Sequence, residues 1–406
     1  MATRRSHTKS RNGCRDCKRR KVKCDEAYPS CFNCSIHGIV CSLSTSRNSP
    51  SDINPQRPPA PSSADGSSPR SKYGFLDMVA DRTRMIPPAP TIEIWGRGLE
   101  LMHHYTLSTG NSLAIRPDMQ YVWRVNLPEI GYACPFVMHG ILTISALHKA
   151  YLIPPERETY LDLATAHQNA GLEGFRAELH NINDTNWQTF FSFASIVVMY
   201  VSSVPVRLGS ETEAIPNILE LFVFVRGIRA VLEPFQGRLV KTKFAALVHG
   251  IWTIDPDDVN YRHPQMHLSP LPPDIFQAFT ELATFFRESL SEDCRDEYLK
   301  AVEELEKAIY FMAHAGTNVE VGMIMFWPYV ISENIMTDIQ GQNPFSMVLL
   351  SYFAIPLCVL EQRYWFLQGW SRRLIEVSDI VLAEHPALLE MVKWPRRQVF
   401  ELYGPI

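Results

Sequence analysis

The 406-residue chain has no H-E-x-x-H pair, no G-x-S-x-G elbow, no Walker-type phosphate loop and no dinucleotide fingerprint between strand and helix. Those absences remove the enzyme classes that such motifs mark. His103, His104, His139, His148, His167 and His180 are what a catalytic reading would have to use, yet histidines on apolar helices are usually satisfied core residues. His263 and His267 have the spacing of one helical turn, but Pro264 between them opposes a helical metal face. Met1 to Gly13 holds Arg4, Arg5, Lys9 and Arg11 and no apolar run of signal-peptide length, so a reducing compartment is expected. No apolar run spans a bilayer. Trp187 to Val201 is too short, and Phe345 to Leu360 is broken by Pro356 and followed by Glu361, Gln362 and Arg363. Both read as buried core helices. No heptad run follows Cys41, so a dimerising coiled coil is not expected there and the oligomeric state stays open. Strand alternation is missing from Ile92 onward.

Cysteine is scarce except at one place. Cys134, Cys294 and Cys358 are scattered and read as small buried hydrophobes, while the other six fall at Cys14, Cys17, Cys24, Cys31, Cys34 and Cys41. Their spacing is C-x2-C-x6-C-x6-C-x2-C-x6-C, so one half-motif recurs 17 residues on. An even count in a short span also suits a disulfide framework. In a reducing compartment, paired C-x2-C units point to metal. Two tetrahedral zinc ions need eight thiolate bonds, and six cysteines supply eight only if two bridge both metals. The repeat nominates the first sulfur of each half, Cys14 and Cys31.

The two halves differ in what lies between their ligands. Lys18, Arg19, Arg20, Lys21, Val22 and Lys23 separate Cys17 from Cys24, and two helical turns would set both cysteines on the metal side with most cations outward. Ser35, Ile36, His37, Gly38, Ile39 and Val40 fill the same slot in the second half without one fixed positive charge. Residues 1–41 carry ten Lys and Arg against three acidic residues, whereas the remaining chain carries 29 against 40. A basic head on an acidic body fits a head that binds a polyanion. A bare nuclear-localisation patch explains the basic run less well, because zinc ligands enclose it.

The run from Cys14 through Lys18-Arg19-Arg20-Lys21-Val22-Lys23 to Cys24, with Pro29 two residues before Cys31, resembles the fungal Zn2Cys6 binuclear-cluster transcription factors. That resemblance implies two Zn2+ per chain, a nuclear location, and a helix after the second cysteine that enters the major groove and reads a CGG triplet in double-stranded DNA. By position, Arg20 and Lys21 would contact guanine O6 and N7, and Arg15, Lys18, Arg19 and Lys23 would contact phosphates. Pro29 would form the turn between the halves.

From residue 42 to 90 Ser and Pro dominate, as in Arg57-Pro58-Pro59-Ala60-Pro61 and Pro87-Pro88-Ala89-Pro90, and a disordered linker is expected. The reading is therefore a basic tail (1–13), a zinc cluster domain (14–41), the linker (42–90) and a helical regulatory body (91–406). Expected helices are Glu93 to Leu107, Pro135 to Leu152, Glu156 to Leu179, Trp187 to Val201 closed by Pro205, Ala214 to Leu232, Val240 to Ile251, Asp274 to Leu290, Arg295 to His314, Pro344 to Leu367, Trp370 to Ala383 and Pro386 to Leu402. Asp257, Asp258 and Pro264 to Pro273 mark a long loop. Such a succession makes an all-α bundle.

Leu101 to Thr106, Pro135 to His148 and Tyr364 to Trp370 through Trp394-Pro395 resemble the fungal-specific regulatory domain of the sterol uptake control group. In that group the domain is helical and some members bind a sterol. The resemblance implies partners in the transcription machinery, a role in sterol or secondary-metabolite genes, and a small lipid-like effector. Tyr352, Phe353, Tyr364, Trp365, Phe366, Trp370 and Trp394 are the aromatic residues such a pocket would use, with core packing as the plainer reading. A zinc-stabilised nuclear scaffold without sequence-specific DNA binding, or an enzyme in the body, are the competing classes.

Overall fold

In the computed structural model the residues described are 13–20, 22, 24–26, 31, 33, 34, 41–43, 91–209, 213–239, 241–247 and 264–402. The linker expected at 42–90 therefore lies almost wholly outside them, as do Lys21, Lys23, Pro29, Asp257, Asp258, His263 and the spacer from Ser35 to Val40. The chain divides into two compact units, Met1–Pro69 and Arg70–Ile406.

The first unit contains helix α1 (Arg15–Arg20). The second is helical, with no strand among the described residues. Its principal elements are α2 (Thr91–His104), α3 (Leu127–Ala133), α4 (Pro135–Leu152), α5 (Arg157–Glu178), α6 (Trp187–Ser202), α7 (Ala214–Leu232), α8 (Ile275–Ser289), α9 (Glu292–Ala315), α10 (Val321–Val330), α11 (Glu333–Gln340), α12 (Pro344–Glu361), α13 (Trp370–Val381) and α14 (Pro386–Arg397).

α12 is the axis of this unit. By length and composition it alone among the described helices could cross a membrane, yet 83% of it is buried inside the protein, against α13, α14, α9, α10 and α11. A helix apolar on all sides must be enclosed, and the amphipathic helices around it do the enclosing. Phe353 of α12 meets Phe222 of α7 edge-on at 5.3 Å and Trp327 of α10 at 4.7 Å. Buried indoles need acceptors. Trp327 Nε1 donates to Ala301 O (2.9 Å), Trp370 Nε1 to Ser202 O (2.6 Å), Trp365 Nε1 to Ser112 Oγ (3.0 Å) and Trp394 Nε1 to Asp274 Oδ2 (2.8 Å). The C-terminal aromatic residues are thus structural ties. None of them lines the apolar cavity bounded by Trp123, Phe191, Val198, Val225, Met325 and Phe326.

A second layer forms where α4, α5 and α6 converge. A Cβ on Gly171 would come within 2.8 Å of the Phe193 ring, so only glycine lets α5 approach this closely. Glu100 of α2 clasps the pair from outside, accepting from Tyr160 Oη (2.8 Å), Arg97 (2.7 Å) and Lys149. Burial opposes its ionisation, but Lys149, Arg97 and Tyr160 together hold the carboxyl at about 2.

Several expected boundaries move. The predicted helix from Val240 to Ile251 is, over its described part, a turn followed by a 3-10 segment at Ala245–Leu247. Thr242 Oγ1 accepts from the Phe244 amide (3.2 Å) and Asn126 Nδ2 donates to Lys243 O (2.9 Å), occupying groups that a helix would use. α6 ends at Ser202, and Pro205 does not close it but opens the short helix Val204–Leu208, where a missing N–H is harmless. Leu99 of α2 is 57% exposed although Leu101 two residues on is buried. α10, α11 and the stretch 117–133 are helical where no helix was expected.

His139 Nδ1 and His167 Nδ1 lie 2.9 Å apart between α4 and α5, and His148 Nδ1 lies 3.1 Å from Thr109 Oγ1 with its ring stacked on Trp365. Burial, helped by the neighbouring imidazoles of His139 and His104, pushes His167 and His148 each down to about 4. Below the ordinary value of 6.5 the unfolded chain takes up protons that the folded chain refuses. Stability is therefore fully present above that value and is lost progressively as the pH falls to about 4. Denaturant titrations across this window should show a loss of up to roughly 3 kcal/mol per histidine. His167→Gln should flatten the fall; a curve that the substitution leaves unchanged would assign the acid sensitivity to carboxylates instead.

Candidate metal centre and nucleic-acid interface

None of the six cysteines of the first unit is in a disulfide, and each is at most 3% exposed. They fall into two quartets, Cys14, Cys17, Cys24, Cys31 and Cys14, Cys31, Cys34, Cys41, each with its sulfurs within 4.8 Å of one another. Cys14 and Cys31 belong to both quartets. Their sulfurs are 3.6 Å apart, with Cys14 to Cys34 and Cys17 to Cys31 at 3.5 Å. A disulfide needs about 2.05 Å between sulfurs, so these are not bridges. Tetrahedral zinc with Zn–S near 2.3 Å sets neighbouring sulfurs about 3.8 Å apart, and the cage matches that edge.

The backbone repeats the sequence symmetry. The Cys14 amide donates to Cys24 Sγ and the Cys31 amide to Cys41 Sγ, both at 3.4 Å. The Cys17 amide reaches Cys14 Sγ at 3.3 Å. Amide donors favour a thiolate over a thiol. Burial acts to raise Cys14, but the Cys17 amide and the surrounding sulfurs bring it down to about 6. Burial and the facing sulfurs push Cys17 and Cys34 up instead. Packed thiols oppose one another's ionisation, and divalent cations relieve that opposition.

α1 hangs on this cage through Cys17, and the Arg15 amide donates to Ser42 Oγ at 2.7 Å. The helix ends at Arg20, shorter than the two turns expected between Cys17 and Cys24, with the Val22 amide bonded back to Cys17 O at 3.1 Å. Arg15, Lys18 and Arg19 are exposed. Arg19 pairs with Asp16 at 2.9 Å while its side chain stays 72% exposed. Arg20 is half-buried, and its Nη1 has no acceptor among the described residues. The sequence description of the fungal Zn(2)-Cys(6) binuclear cluster domain matches residues 12–50.

Residues 12–50 are a Zn(2)-Cys(6) cluster domain. Such a domain binds two zinc ions, and the six sulfurs are placed for them. The whole chain is similar to a Zn(2)-C6 fungal-type transcription factor of Gibberella zeae, 26% identical over 98% of this chain and 87% of that protein. It is 29% identical to the Zn(2)-C6 fungal-type transcription factor afumD of Aspergillus fumigatus over 37% of this chain and 35% of that one. Sterol uptake control protein 2 of Candida albicans is 44% identical over 14% of this chain and 9% of its own length.

The cluster domain makes a stoichiometric prediction. Native protein should hold two zinc ions by mass spectrometry under non-denaturing conditions. Cys14→Ala or Cys31→Ala removes a sulfur shared by both quartets and should leave fewer than one tightly held ion, whereas Cys24→Ala or Cys41→Ala should leave about one. Equal losses at all six positions would contradict the sharing.

Proposed function

We propose that this protein is a nuclear, sequence-specific DNA-binding regulator of RNA polymerase II transcription, and not an enzyme. The observation that carries the reading is the attachment of α1. Cys17 pins the helix to the buried cage while Arg15, Lys18 and Arg19 face outward, so the cations sit on a rigid support. Cys14 and Cys31 bridge the two zinc ions, and Cys17, Cys24, Cys34 and Cys41 complete the ligand set. Arg15, Lys18, Arg19 and Lys23 neutralise phosphates. Arg20 and Lys21 read guanine in a CGG triplet; the Arg20 Nη1 has no acceptor among the described residues, and a guanine edge offers two.

In the same reading residues 14–41 are the DNA-binding domain, 42–90 the tether and 91–406 the regulatory body, where the transcription machinery and a small lipid-like effector act. A role in sterol or secondary-metabolite genes belongs to the same reading, and the name of one relative, sterol uptake control protein 2, supports its sterol part.

Arg20→Ala and Lys21→Ala should each lower discrimination for CGG over a scrambled triplet by about 1–3 kcal/mol in titrations with labelled duplex. Lys18→Ala or Lys23→Ala should weaken every duplex alike and reduce the salt slope by about 1. Unchanged triplet preference after Arg20→Ala and Lys21→Ala would remove those two residues from the recognition surface. No salt-sensitive duplex binding at all would favour a zinc-stabilised scaffold.

A further inference from the structure

α1 has six residues, and isolated helices shorter than about 12 are marginal in water. Its permanence has to come from contacts outside itself. The first-turn N–H groups of any helix find no partner within it, so they show where such contacts are made. Here the Cys17 amide donates to Cys14 Sγ at 3.3 Å, and the Cys14 carbonyl accepts from the Lys18 amide at 3.1 Å. The Arg15 amide donates to Ser42 Oγ at 2.7 Å, across 27 positions of chain.

The two side-chain acceptors depend on different things. Cys14 Sγ belongs to both sulfur quartets, so its hold on the helix comes with the metal. Ser42 is not a ligand. It follows Cys41 directly, outside the cysteine repeat, and its hydroxyl oxygen ties the start of α1 to the residue after the last sulfur. Its side chain is half-buried and brings no charge to a phosphate.

The donor of that bond is the backbone of Arg15, which carries the first of the outward-facing cations, and Lys18 and Arg19 follow within the same short helix. Fraying of the first turn displaces all three. A protein whose binding-competent form is populated only part of the time binds more weakly in proportion to that fraction.

We infer that Ser42 is a positioning residue for DNA binding: its Oγ keeps the first turn of α1 closed, so that Arg15, Lys18 and Arg19 meet the phosphates together. The inference rests on the proposed DNA-binding function and deepens it, adding a residue that the zinc ligands and the basic run do not include. Serine and threonine both accept from a first-turn amide and alanine does not, which supplies the variants.

The test compares native protein, Ser42→Ala and Ser42→Thr as full zinc-loaded chains titrated into a labelled CGG duplex at fixed salt, with zinc counted by mass spectrometry under non-denaturing conditions. Ser42→Ala should keep two zinc ions and bind the duplex about three- to tenfold more weakly, and Ser42→Thr should restore the native affinity. Native affinity in Ser42→Ala would overturn the inference. So would loss of zinc from that variant, which would make Ser42 a support of the cage, and so would an equal weakening in both variants, which would take the effect away from the hydroxyl. If the native chain binds no duplex, the DNA-binding reading falls and this inference with it; if the native chain binds and Ser42→Ala binds equally well, only this inference falls.

Discussion

Six sulfurs packed within a few ångströms and excluded from water cannot all be ionised unless positive charge sits among them. That constraint governs the amino-terminal unit. Burial pushes Cys17 and Cys34 up while the Cys17 amide and its neighbours draw Cys14 down, so a cage without cations has room for little negative charge. Two divalent ions change the balance, and the binding energy of the metal becomes folding energy for a segment too small to bury an apolar core. Leu43 is the only non-cysteine hydrophobe packed against the cluster among the described residues. Everything that α1 presents to solvent takes its orientation from this cage.

The helical unit solves the ordinary problem in the ordinary way. Its apolar axis, α12, is surrounded, and the polar edges of its large aromatic residues are tied off by backbone carbonyls and side-chain oxygens. Trp370 to Ser202 and Tyr364 to Glu320 each join segments far apart in sequence. These bonds contribute about 1 kcal/mol each when made and cost more when one partner is lost, so they specify the arrangement more than they drive collapse. Collapse comes from the buried leucine, isoleucine and phenylalanine of the surrounding helices.

Much of this was legible in the residues. The cysteine repeat named both quartets and the two shared sulfurs, because a ligand count and a spacing leave few arrangements of metal. Pro135 to Leu152 was delimited correctly, since a proline at the first turn and a dense apolar run agree. What escaped was tertiary. The segment after Leu239 has an apolar pattern that suits a helix, but Asn126, over a hundred residues away, takes one of its carbonyls. The C-terminal aromatic cluster read more plainly as core than as pocket, and its indole partners bear out the core.

The two units use burial in opposite ways. In the cluster domain, desolvation makes thiolates expensive until cations arrive, so the metals and the fold are inseparable. In the body, desolvation makes an unpaired indole or hydroxyl costly, so Trp327, Trp370 and Tyr364 are tied to acceptors within a core large enough to fold by apolar burial. The first arrangement makes a permanent support for α1. The second fixes its large aromatic residues through single hydrogen bonds inside an apolar core, and bonds of that size specify one packing among many without driving collapse.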